Sequence, residues 1–160
     1  MVESEHPITR RSFVGLIMVA VGLTAPAAMA DEPTVVVVHK DPNCGCCTGW
    51  VQHLRDAGFA VRVEETSDLK AVRTRFAIPE SLAACHTAEV AGYLVEGHVL
   101  AAAVRRLLAE RPNARGLAVP GMPAGSPGME GGAPKPYAVI LFGPKGSQPF
   151  MRFIGKQAVG

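Results

Sequence analysis

The sequence predicts an α/β fold, a central mixed sheet flanked by helices. Two observations carry this prediction. A β-branched run at residues 34–40 feeds directly into an amphipathic helical stripe, and the same succession of strand and helix returns between residues 59 and 76. A third observation concerns the far end, where two apolar runs between residues 137 and 154 flank a glycine-rich turn and read as a closing hairpin.

The first 30 residues read as a targeting segment. Thr9-Arg10-Arg11-Ser12-Phe13-Val14-Gly15 is a twin-arginine pattern, followed by an apolar run at 16–25 and by Ala28-Met29-Ala30, a small-x-small cleavage site. The run is too short to span a bilayer unaided, since spanning takes about 20 apolar residues. Residues 1–30 are therefore expected to be a twin-arginine signal peptide, and residues 31–160 a single domain with one core.

In order, residues 34–40 (Thr-Val-Val-Val-Val-His-Lys) lack polar alternation and read as a central strand buried on both faces. Asn43 is a suitable N-cap for a helix whose stripe is Cys47, Trp50, Val51 and Leu54, with Gly58 as its stop. Residues 59–64 alternate as a second strand, and Ser67 or Asp68 caps a helix running to about Phe76. Residues 85–96 read as a hairpin turning at Ala91-Gly92, so that Cys85 precedes a strand. Leu100, Val104, Leu107 and Leu108 give a further helix, which Pro112 stops. The stretch from Pro120 to Pro136 is dense in proline and glycine, with Met122 and Met129 as its large apolar side chains, and forms a loop.

The formal net charge of +2 excludes the basic stripe that a nucleic-acid surface needs. Cysteine usage is the informative part of the composition. Three of the four cysteines, Cys44, Cys46 and Cys47, fall within four residues at the first strand-to-helix turn. Disulfide frameworks stabilise by closing loops, which argues against such clustering. In an oxidising compartment thiols persist only when bridged, metal-bound or re-reduced, so the cluster requires a function.

Cys44 and Cys47 have the C-x-x-C spacing which, at a helix N-terminus after a strand, permits an internal disulfide and lowers thiol pKa; that arrangement is thioredoxin-like. Cys46 adds a third sulfur for which dithiol exchange has no evident use. A soft cation has one, because Cu(I) prefers thiolates and thiolates bridge several such ions. Zinc sites more often pair ligands from two separated knuckles, and the spacing matches neither common iron-sulfur pattern. If the third strand begins beside the first helix, as in a thioredoxin-like sheet, Cys85 supplies a fourth thiolate.

Four blocks in order, Cys44-Gly45-Cys46-Cys47, Cys85-His86-Thr87-Ala88, Gly92-Tyr93 with Glu96-Gly97-His98-Val99, and residues 116–130 from Gly116 to Glu130, resemble the CopG-like periplasmic copper-resistance family, long catalogued as a domain of unknown function. The resemblance spans nearly all of residues 31–160. It implies a thioredoxin-like fold, copper held by Cys44, Cys46, Cys47 and Cys85, and a part in copper homeostasis that includes Cu(I)/Cu(II) redox chemistry. Leu100 departs from the pattern, where a proline is expected.

Lesser candidates stand beside these four. Met122 and Met129 are soft thioethers suited to copper, though methionines more often pack. His86 adjoins Cys85, but neighbouring residues on a strand point to opposite faces. His39, at the end of the first strand, has a comparable claim. His53 lies about 10 Å along the helix from Cys46 at 1.5 Å per residue, too far to share an ion. His98 reads as a cap or a partner of Glu96, Trp50 as core, and Arg105 and Arg106 as a solvated face. No catalytic residue is assigned.

The sequence thus points to a periplasmic protein that binds Cu(I), in a multinuclear thiolate site, for copper resistance. Its expected partners are copper ions and periplasmic copper chaperones or exporters, to which the methionine-bearing loop is presented. Its contact with the membrane is transient, through the signal peptide alone. The alternative is a thiol-disulfide oxidoreductase using Cys44 and Cys47.

Overall fold

The computed structural model describes residues 34–159; the expected signal peptide lies outside them. The described residues form a mixed α/β structure of eight strands and three helices. In chain order these are β1 (Val35–Lys40), α1 (Gly45–Asp56), β2 (Ala60–Glu65), α2 (Leu69–Arg75), β3 (His86–Val90), β4 (Tyr93–Glu96), α3 (Ala101–Glu110), β5 (Gly116–Ala118), β6 (Pro136–Gly143), β7 (Gly146–Ile154) and β8 (Gln157–Ala158). One 3-10 turn, Glu80–Leu82, precedes β3. All strands join one sheet in the order β2-β1-β3-β4-β5-β6-β7-β8. Pairing is parallel for β1 with β2 and for β4 with β5, and antiparallel elsewhere.

Side-chain alternation along the strands divides the apolar residues between the two faces of the sheet. Val36, Val38, Ala88, Val90, Val95, Leu117, Val139 and Phe153 pack with Trp50, Val51 and Leu54 of α1 and Ala103, Val104 and Leu107 of α3. On the other face a smaller cluster joins Leu94, Ala118 and Phe142 to Ile78 and Leu82. The second face is the thinner one, because α2 has only seven residues. Hence β1, hydrogen-bonded on both sides, is not buried on both faces: Val36 and Val38 are sealed while Val35 is 52% exposed.

The helix ends follow local chemistry. Helix α1 buries the expected stripe of Cys47, Trp50, Val51 and Leu54. Its N-cap is Cys44 rather than Asn43, because Asp41 turns the chain by accepting the Asn43 N–H on its carboxylate and the Cys44 N–H on its carbonyl. Gly58, at φ +86°, supplies the left-handed turn that ends it. Asp68 caps α2 by accepting the Ala71 N–H at 2.9 Å. Helix α3 has no capping side chain of its own; His53 Nε2, from α1, accepts the Ala101 N–H at 3.0 Å. Trp50 Nε1 donates to the Val99 carbonyl at 2.8 Å, so two side chains of α1 fix the start of α3.

Strand β5, three residues long, carries no sequence signal of its own. A Cβ on Gly116 would lie 1.8 Å from the Leu94 carbonyl oxygen, so glycine is what lets β5 pair with β4. Arg105 and Arg106 are not merely solvated: Arg105 donates to the Ala57 carbonyl, and Arg106 pairs with Glu110 at 2.7 Å and reaches the Phe150 carbonyl.

Trp50 is the largest fully buried side chain; it belongs to the main apolar cluster and bonds the Val99 carbonyl just ahead of α3. Trp50→Ala should cost about 3–5 kcal/mol of unfolding free energy. Urea unfolding followed by circular dichroism is the suitable measurement, since Trp50 is the sole tryptophan.

Candidate metal centre

The centre is built from three segments: the β1–α1 turn, the entry to β3, and the segment after β4. The β1–β3 register pairs Lys40 with His86, which sets Cys85 beside the residues that follow Lys40. Cys44 Sγ lies 3.4 Å from Cys46 Sγ, and Cys46 Sγ lies 3.9 Å from Cys85 Sγ. Cys47 Sγ lies 3.4 Å from the Cys85 carbonyl oxygen. Cys44 and Cys47 are joined as a disulfide, whereas Cys46 and Cys85 are free. All four sulfurs fall within 4.8 Å of one another.

Two histidines complete the surroundings. His98 Nε2 lies 2.9 Å from Cys85 Sγ, and its Nδ1 lies 2.8 Å from the Pro127 carbonyl oxygen. That carbonyl only accepts, so Nδ1 carries the hydrogen and Nε2 presents its lone pair to the sulfur. His86 Nδ1 lies 3.5 Å from the same sulfur, with its ring 4.3 Å from the Trp50 ring. The alternation argument against His86 fails because Cys85 precedes β3 and its side chain does not follow the pleat. His98 was missed as a candidate. Only the spacing of the Glu96-Gly97-His98 turn from Cys85 across the β3–β4 hairpin could have indicated it.

The remaining candidates separate. His39 does not join the site: on β1 it alternates with Val38 and turns to the opposite face. There its Nε2 sits 2.9 Å from Glu89 and its Nδ1 3.4 Å from Glu64. His53 is occupied as the cap of α3. Met122 is 56% exposed. Met129 is half-buried beside Gly128, where a Cβ would lie 2.2 Å from the Cys46 carbonyl oxygen. The proline- and glycine-rich segment thus seats on the first turn of α1, closely enough to require glycine at that point.

Burial controls the protonation of these donors. It pushes the Cys85 thiol up to about 12, with the neighbouring Cys46 adding to the rise. It pushes His86 down to about 3, helped by His98, and lowers His98 against the opposing hydrogen bond to Pro127. Without metal the centre is a protonated thiol among neutral imidazoles, and a cation binding there must displace the thiol proton.

Glu96 holds the segment carrying Cys85. Fully buried, it accepts the Ala84 N–H at 2.7 Å on one oxygen and the Thr87 hydroxyl at 2.6 Å on the other. Its carboxylate therefore grips the chain on both sides of Cys85-His86. Arg73 donates to the Ala84 carbonyl at 3.1 Å and lies 3.9 Å from the same carboxylate. Burial raises the Glu96 pKa, and the Thr87 and Ala84 hydrogen bonds oppose that rise.

Comparison with known proteins bears directly on this geometry. A family model described as a protein of unknown function, DUF411, matches residues 82–129, the span from the 3-10 turn before β3 into the proline- and glycine-rich loop. No curated protein matches. Two solved structures, forms 2 and 1 of a copper resistance protein CopG, are 43% identical to this chain, each with a TM-score of 0.72. The first covers 76% of this chain and 99% of its own, the second 78% and 100%. The chain belongs to the CopG-like copper-resistance family. Within a CopG-like chain, the four-cysteine set and the adjoining histidines are the metal-competent groups among the described residues.

Two outcomes follow from the centre. Glu96→Ala leaves the part-buried Ala84 N–H and the buried Thr87 hydroxyl without their partner and should cost about 1–3 kcal/mol, most of it from the hydroxyl, whereas Glu96→Gln, which can accept from Ala84 and donate to Thr87, should retain most of that stability; urea unfolding measures both. Iodoacetamide labelling of Cys85 in metal-free protein should still be rising at about pH 10, past the point where an ordinary thiol of pKa about 8.5 has levelled off. Peptide mapping of the labelled chain reads this directly.

Proposed function

We propose that this is a periplasmic copper-binding protein, exported by the twin-arginine route, that holds Cu(I) on Cys44, Cys46, Cys47 and Cys85 for copper resistance. The observation that carries the reading is the convergence of four sulfurs within 4.8 Å from two chain segments 38 or more residues apart. Four thiolates so close repel one another, and soft monovalent cations placed among them remove the repulsion. Thiolates bridge such ions, which favours a cluster over a single ion. The 43% identity to proteins named for copper resistance supports copper over zinc. A thioredoxin-like description is supported by the sheet order β2-β1-β3-β4, with β1 and β2 parallel, and by the C-x-x-C at the start of α1.

The disulfide gives the centre a redox capacity. Reduced Cys44 and Cys47 supply two electrons, release two protons and close their bond while two Cu(II) ions become two Cu(I) ions. Cys46 and Cys85 remain free to hold the product, each releasing its thiol proton as the thiolate takes Cu(I). The loop bearing Met122 and Met129 is the surface proposed to pass copper to chaperones or exporters, through the exposed thioether of Met122 and the half-buried one of Met129.

A second reading, a thiol-disulfide oxidoreductase, is favoured by the same Cys44–Cys47 disulfide at the N-terminus of α1. The two readings separate experimentally. Reduced protein loaded without oxygen should retain more than one Cu(I) per chain, with sulfur-dominated copper-edge X-ray absorption, and Cys46→Ser should lower both the loading and the sulfur count. Strict one-to-one zinc binding with no preference for copper would sink the copper reading. Insulin reduction that survives Cys46→Ser and Cys85→Ser would favour the oxidoreductase.

A further inference from the structure

We infer that the β2 edge of the sheet is a docking surface for a second copy of this chain, the two β2 strands pairing antiparallel about a two-fold axis at Val63. The inference is independent of the copper-binding reading.

The two edges of the sheet are finished differently. At the far edge β8 has two residues and pairs only with Phe153 and Ile154 of β7. Strand β7 itself carries Pro149, next to a register shift against Val139 and Ile140. Short strands, prolines and bulges are the means by which proteins keep a sheet edge from pairing. Strand β2 has none of them: it runs six residues in unbroken register with β1, from Ala60 to Glu65.

The unused backbone groups of β2 follow from the ladder. The Thr66 N–H donates to the Lys40 carbonyl at 2.9 Å, and successive residues of a strand turn their N–H and C=O groups to opposite sides. Arg62 and Glu64 therefore bond β1, while Val61, Val63 and Glu65 present their backbone groups outward. Among the described residues one side chain reaches these groups, Arg55, which donates to the Val61 carbonyl at 3.5 Å. A carbonyl has two lone pairs, so that contact leaves room for a second donor.

The side chains select the occupant. Pairing centred on Val63 joins Val63 to Val63 of the second copy, and Val61 to its Glu65, through outward-facing groups alone. Between these pairs Arg62 of each copy stands directly opposite Glu64 of the other, at the non-hydrogen-bonded positions where side chains lie closer together. Both side chains are accessible, Arg62 at 66% and Glu64 at 47%. Centring the pair on Arg62, Glu64 or Glu65 instead opposes like charges across the axis, and centring it on Val61 leaves Arg62 opposite Ala60. Charge complementarity thus picks one register, and that register is self-complementary, as a two-fold contact requires. Because β1 and β2 are parallel, the cysteine-bearing turn lies at the C-terminal end of both strands. In the antiparallel pair the two turns fall at opposite ends of the joined sheet, and neither covers the other.

Sedimentation velocity of the full chain, from micromolar to near-millimolar concentration, should show a reversible monomer–dimer equilibrium. Arg62→Glu and Glu64→Arg, each alone, set like charges opposite each other at both pairs and should weaken association about tenfold or more. Mixed one to one, the two variants restore both pairs and should form a heterodimer as tight as the wild-type dimer. Val63→Pro, which removes the N–H at the axis and no bond to β1, should abolish the dimer with the circular dichroism unchanged; the charge variants carry the test if that chain fails to fold. A wild-type chain that stays monomeric throughout, or a mixture of the charge variants no more associated than either alone, overturns the inference. So does a dimer that survives Val63→Pro.

Discussion

The antiparallel register of β1 against β3 is the constraint on which the centre depends. Pairing Lys40 with His86 brings the residue before β3 level with the turn after β1, and only that alignment sets Cys85 against Cys46. A slip by one residue would turn the apolar residues of β3 away from the α1 side and carry Cys85 off the cluster. The register is held by Val38 and Ala88, paired across the ladder and sealed on the face that α1 covers. Core packing and donor geometry are therefore one specification.

Around that register, polar groups hold what the ladder does not reach. Residues 84 and 85 lie outside β3, and the Glu96 carboxylate substitutes for strand pairing there by binding a backbone N–H and a hydroxyl. A carboxylate is a fitting choice, since charge-assisted hydrogen bonds are shorter and stronger than neutral ones. Pro127 does the same for His98 from the opposite direction, and Gly128 brings that loop onto the Cys46 carbonyl. Three separate stretches of chain thus converge on one sulfur, that of Cys85.

Much of this arrangement is legible in the sequence because local chemistry writes it there. The β1 valines, the Cys47-Trp50-Val51-Leu54 stripe, the Asp68 cap and the Ala91-Gly92 turn each act within one element. What escapes is set by contacts between distant segments. Strand β5 exists because Gly116 lets two backbones meet. The alternation rule misplaces His86 because it assumes that Cys85 already lies in the strand. His98 is invisible until the hairpin folds back, and His39, equally plausible by its nearness to the cysteines, turns out to face two carboxylates on the other side of the sheet.

The cap that His53 gives to α3 makes the join between two helices sensitive to acid. The imidazole must be neutral to accept the Ala101 N–H, and burial accordingly lowers its pKa in the folded chain. An unfolded histidine takes up a proton near pH 6.5. The stabilisation is thus complete above that value and is lost as the pH falls through the lowered folded pKa. Acid therefore loosens the seam where α1 meets α3, a contact made by the same helix whose first turn carries Cys46 and Cys47.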